Sequence, residues 1–167
     1  MKLPSITAFR SLDHASVWAR DLVAAISASW RVEHGADGQH AFGASAVPFV
    51  AGHYTGSGSM TWTVAGGNVT TNRAGRLGPW LAWTLEVSGT TVGGVVSTNL
   101  RVQLPFSVRA KGRQAGTFKY LDAGTDGTGV WIVTDGSNVV QLFTDYTLAA
   151  WTAGTTALIG QFVIEVQ

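Results

Sequence analysis

The chain has 167 residues, a formal net charge of +1, no cysteine, and 13% charged against 46% hydrophobic residues. That length holds one domain plus an appendage, and the charge balance argues against nucleic acid, whose binding asks for a basic stripe. Absent cysteines exclude disulfides and thiolate metal sites, and no run of about 18 apolar residues is available for a membrane helix.

Charged residues are about half their usual share, and there are seven Trp. Such a chain is expected to hide surface against other subunits, the alternative being an apolar monomeric β-protein. The N-terminus does not read as a signal peptide, because Pro4 and Arg10 interrupt its apolar residues and Asp13 follows. Synthesis without a secretory signal is therefore expected.

Residues 1–12 read as an extended arm, with Pro4 biasing Leu3 away from helix. Its knobs Leu3, Ile6 and Phe9 have no local partner. Ser11 or Asp13 can cap a helix that fills residues 13–33. Ala19, Val23, Ile26 and Trp30 are spaced 4, 3, 4, as in an a/d seam, and Trp18, Leu22 and Ala25 add an adjacent stripe. About 19 residues make roughly 28 Å of helix, too short to be stable alone. The helix must bundle with copies of itself or lie on its own domain. Trp18, Ala19, Leu22, Val23, Ile26 and Trp30 are thus the candidate self-association or docking interface.

Residues 34–57 read as hinge and connector. Gly35 and Gly38 stop the helix, and Pro48 forbids a central strand. Glu33, His34, Asp37 and His40 are potential ligands, but their spacing fits no defined metal motif, and a hydrogen-bonded turn explains them. No cofactor is expected.

From residue 58 to 167 strand signals recur at all-β spacing. Met60–Val64 alternates, Ala65–Asn68 turns, and Val69–Arg73 reads as a return strand. Trp80–Val87 is a long apolar run, followed by a turn at Ser88-Gly89-Thr90 and a strand over Thr91–Val96. Leu100, Val102 and Leu104 point to one face and Arg101 and Gln103 to the other. Thr117–Leu121, a Gly-rich turn over Asp122–Gly127, a hairpin at Asp135-Gly136-Ser137 and a last strand over Thr155–Val166 complete the pattern. This makes a mainly β protein, in which an arm and one α-helix precede an antiparallel β-sandwich or jelly-roll-like head.

The order of helix, Glu33-His34-Gly35-Ala36-Asp37-Gly38-Gln39-His40 hinge and Trp-rich β-domain resembles minor structural proteins of tailed bacteriophages, where a helical segment leads through an "EHxxDGxH"-like collar into a β-sandwich head. Met60-Thr61-Trp62-Thr63-Val64, the strand ending Leu104-Pro105-Phe106, and Trp151-Thr152-Ala153-Gly154 are similar to the motifs of such heads. The similarity covers residues 14–167. It implies a homotrimer in the virion, contacting capsid, portal or tail proteins. The short helix favours a knob, spike or decoration over a long fibre. A host-surface glycan is the alternative partner.

Catalytic patterns are missing. The four histidines lie in the first third, and Gly56-Ser57-Gly58-Ser59 is no nucleophile elbow. Glu86 and Glu165 sit in strand patterns, each able to point outward, and a glycosidase needs an acid pair at about 5–9.5 Å. Asp122 and Asp126 lack the spacing of a calcium loop. The expectation is a non-enzymatic protein. Arg109, Lys111, Arg113 and Lys119 form the basic cluster available to an acidic glycan or capsid surface. Trp151, beside a turn, is the best candidate for an exposed sugar platform, although it also suits turn packing.

Overall fold

The computed structural model describes Val23, Ala24 and residues 43–167. Val23 and Ala24 are helical and exposed. The rest of the expected arm, helix and hinge lies outside the described residues, including Trp18, Ala19, Leu22, Ile26, Trp30, Glu33, His34, Asp37 and His40. Gly43–Gln167 form one compact unit, which is mainly antiparallel β.

Its strands are β1 (Ser45–Ala46), β2 (Tyr54–Gly56), β3 (Met60–Thr63), β4 (Val69–Leu77), β5 (Trp80–Gly94), β6 (Asn99–Gln103), β7 (Gln114–Asp122), β8 (Thr125–Val133), β9 (Val139–Phe143) and β10 (Gly154–Glu165). They join in one sheet of order β1-β4-β5-β10-β7-β8-β9-β6-β2, with β3 also on β5. A short turn closed by Met60 N–H donating to Ser57 O (3.1 Å) links β2 at one end of the path to β3 on β5. The sheet therefore curls back toward itself around a continuous apolar interior. The connector expected over residues 34–57 contributes β1 and β2, and Tyr54 is a buried core residue paired with Val102. Pro48 follows the last bond of the β1 edge to β4, Val47 N–H to Asn72 O (2.8 Å), and its missing N–H ends the pairing there.

β5 organises the curl. Its first part pairs with β4 (Leu81 with Arg76, Leu85 with Asn72), and its last part pairs with β3 (Val92 with Trp62). β3 and β4 run in the same direction along one edge of β5. Residues 69–73 are thus not a return strand. They continue β3 after a one-turn excursion at Gly66–Asn68. The Asn68 side chain holds that excursion, accepting from Ala65 N–H (2.8 Å) and donating to Gly89 O (3.1 Å).

Ser88-Gly89-Thr90 is correspondingly not a turn. β5 runs through it with one extra residue, since Thr90 pairs with Thr156 and Val87 with Leu158. Gly89 takes φ +63, which glycine adopts without steric cost. The bulge moves the buried set from Leu81, Trp83, Leu85 and Val87 to Thr90 and Val92. The same side of a 15-residue strand thereby stays on the core as the sheet bends.

The β7–β8 hairpin bends by a second device. Three directly paired positions set a glycine against an aromatic: Gly116 with Trp131, Phe118 with Gly129, and Tyr120 with Gly127. Each ring lies over the opposite glycine. A Cβ on Gly116 would sit 2.6 Å from the Trp131 ring, and Cβ atoms on Gly127 and Gly129 would meet Tyr120 and Phe118. Large rings thus enter a tightly curved interior without spreading the strands. Trp131 and Trp83 both pack on Phe162 of β10 (centroids 5.6 and 4.7 Å). Leu100, Val102 and Leu104 are all buried, as their alternation requires.

Candidate functional site

The run Val130-Trp131-Ile132-Val133 is apolar on both faces of β8. Trp131 and Val133 belong to the core, whereas Val130 and Ile132 point outward. On β9, Val140 and Leu142 point inward and Gln141 and Phe143 outward. Register places Val130 beside Phe143 and Ile132 beside Gln141. Val130 and Phe143 are buried although they face away from the core. The segment after β9 folds over them and leaves a groove of about 500 Å³, bordered by Arg113 and Thr134 at one end and Asp145, Tyr146 and Leu148 at the other.

That covering loop is held from within. Asp145 Oδ1 accepts from Thr147 N–H (2.9 Å), Thr147 Oγ1–H (2.9 Å) and Ala149 N–H (3.1 Å). The Ala149 amide, followed by the Thr147 hydroxyl, holds the Asp145 carboxyl below the usual aspartate range. Thr144 Oγ1 donates to Ala149 O (3.0 Å). Leu148 takes φ +62, a conformation bulky residues avoid. The result is a preformed loop that leaves the Tyr146 side chain 80% exposed at the groove mouth.

Trp151 anchors the loop and is not a sugar platform. It is 1% exposed, its Nε1–H donates to Leu142 O (3.1 Å), and its ring packs on Tyr120 and Phe118. An indole with a partner for its single donor is stable in the core, whereas a turn position says nothing about which way the ring points. Asp122 completes the anchor, accepting Thr152 N–H (2.9 Å). Burial, and then the negative charges of Asp122 and Asp145, raise the Tyr120 hydroxyl above its ordinary pKa.

The basic residues, neighbours in sequence, take different partners. Arg109 Nη1–H donates to Gly136 O (2.8 Å). Lys111 forms an ion pair with Glu165 (2.7 Å), whose hydrogen bond raises the lysine pKa. Lys119 donates to Thr128 Oγ1 (2.6 Å) and borders a hollow of about 190 Å³ with Glu86 and Asp126 on the outer face. Only Arg113 of the four reaches the groove.

Tyr146, Gln141, Asp145 and Phe143 were missed as site residues. The available signal was the unbroken apolar run at 130–133, since a strand apolar on both faces is covered on both. Among the described residues no group of three His, Asp or Glu is placed to hold a metal ion. Glu86 and Glu165 lie on the outer face of β5 and β10, opposite Ile159 and Trp80 respectively.

Comparison with protein-family models, with curated proteins and with solved structures finds no match.

Proposed function

We propose that this chain is a structural virion protein of a tailed bacteriophage: a homotrimeric, non-catalytic knob, spike or decoration whose curled sheet serves as a sandwich or jelly-roll-like head. Its N-terminal part attaches it to capsid, portal or tail proteins. One observation carries the self-associating part of this reading. The outer face of β4, β5 and β10 exposes Leu77, Trp80, Ile159 and Val163. Register sets Leu77 beside Trp80 and Val163 beside Ala82, with the neutral pair Gln161 and Thr84 between Val163 and Ile159. Four large apolar side chains exposed on one sheet face, set among Arg73, Glu86, Lys119 and Glu165, favour association over solvation. Static light scattering at micromolar concentration should give three times the 17.6 kDa chain mass. A monomer of 17.6 kDa sinks the proposal.

A second reading, a receptor-binding head for a host surface polysaccharide, is favoured by the preformed groove and its exposed Tyr146. In that case the protein binds host cells saturably, and Tyr146→Ala weakens the binding without changing the oligomeric mass. Undiminished cell binding by this variant rejects the groove as the receptor site.

A further inference from the structure

We propose that the groove over β8 and β9 takes an acidic saccharide, its carboxylate at the Arg113 end and its neutral, hydroxyl-bearing end beneath Tyr146. This rests on the receptor-binding reading and adds the chemical class and orientation of the ligand. A peptide adding as a strand has no place here. β8 is laddered to both β7 and β9, and β9 to both β8 and β6, so neither offers a free backbone edge. Recognition must come from side chains standing outward on a closed surface.

Those side chains have a definite polarity. Val130, Ile132 and Phe143 make an apolar floor, which suits the C–H face of a pyranose. Gln141 rises from this floor and both donates and accepts, as a sugar hydroxyl requires of its partner. At the upper end the Asp145 carboxylate, kept ionised by its three donors on Oδ1, can accept hydrogen bonds from sugar hydroxyls at Oδ2 and repels a ligand carboxylate. At the lower end Arg113 supplies the planar guanidinium that pairs with a carboxylate through two parallel hydrogen bonds. Four residue steps from Val130 to Thr134 make the floor roughly 13 Å long, so the two charges address different parts of one ligand. The groove volume of about 500 Å³ is that of an ordinary small-ligand site. The backbone that carries Tyr146 and Leu148 is already held by the Asp145 hydrogen bonds to Thr147 and Ala149, so little loop ordering remains to oppose binding.

The test is calorimetric titration of the full chain with two matched pairs: trigalacturonate against galactotriose, and sialyllactose against lactose. At least one acidic member should bind about tenfold more tightly than its neutral partner, the size expected of one charge-assisted pair. Arg113→Ala should remove that preference and leave neutral-sugar binding unchanged, while Tyr146→Ala should weaken both. Unchanged thermal midpoints show that these surface variants still fold. Equal affinity within each pair overturns the acidic class and leaves the polysaccharide reading standing. No binding of any of the four sugars, with cell binding still lost in Tyr146→Ala, overturns a saccharide at this groove but keeps the groove as the receptor site.

Discussion

At the scale of single residues, a buried polar chain and a surface carboxylate carry consequences out of proportion to their size. Trp62 Nε1–H donates to Thr90 Oγ1 (3.0 Å), and Thr90 Oγ1–H donates to Thr156 O (2.7 Å), all within the core. Thr90→Val leaves the indole donor and one carbonyl lone pair without this partner, and should cost about 1–3 kcal/mol. The neighbouring Thr156 hydroxyl is buried with no hydrogen-bond partner. Thr156→Val removes that uncompensated group at nearly constant shape, and should stabilise by up to about 1 kcal/mol. Urea denaturation at constant slope reads both changes, and their opposite signs separate the chain from mere packing. For Asp145 the folded pKa is depressed, so its contribution to loop order is present above the ordinary aspartate range. It is lost as pH falls from about 4 through the lowered value. The Ala149 amide should then lose its protection relative to the intrinsic exchange rate at that pH, and the groove should lose ligand. Asp145→Asn keeps the accepting Oδ1 and should preserve the loop at low pH, whereas Asp145→Ala should loosen it at every pH. An Ala149 amide insensitive to both changes would show that the carboxylate does not hold the loop.

At the scale of elements, glycine placement shapes the sheet. Gly129 is paired with Phe118, and an added Cβ would strike both the Phe118 ring and the Phe143 carbonyl. The carbonyl belongs to the next strand and cannot rotate away as a side-chain tip can. Gly129→Ala should therefore destabilise by about 1–3 kcal/mol, whereas Gly124→Ala, in open space but at φ +89, pays only for its backbone. A thermal midpoint unaffected by Gly129→Ala would remove the glycine–aromatic pairs as a cause of the curl. The strands themselves were legible. Leu100, Val102 and Leu104 alternate visibly, and Asp135-Gly136-Ser137 marks its hairpin. Less legible was what a glycine means inside a strand. Gly89 resembles a turn in sequence and is a bulge in space, because only the register with β10 shows that the strand continues. For the same reason residues 65–68 look like a hairpin turn and are an excursion along one edge of β5.

At the scale of the whole molecule, the question is which outer surfaces meet another molecule. Ile159 and Val163 stand on one face of β10 and are exposed. Replacing both with Lys should reduce the proposed trimer to a 17.6 kDa monomer, with the cost to the isolated domain limited to about 1 kcal/mol of strand preference. Analytical ultracentrifugation reads the mass and circular dichroism the fold. A doubly substituted protein that retains the parent mass places the association elsewhere. The groove lies on β8 and β9, away from these two residues, so ligand affinity per chain should be unchanged.

Composition and local pattern determined the antiparallel β class, most strand positions and the buried alternation, because a period of two and turn-forming residues are local properties of the chain. Tertiary structure alone decided the site. Arg109, Lys111, Arg113 and Lys119 look like one cluster along the chain, yet three of them are engaged by Gly136, Glu165 and Thr128. Trp151 looks exposed beside its turn, yet it is needed inside because its indole N–H meets the Leu142 carbonyl and its ring fills the space beside Tyr120. Tyr146 carries no motif at all. It borders the groove only because the loop anchored by Trp151 folds over the outward faces of β8 and β9, and sequence spacing does not encode which strands that loop will cover.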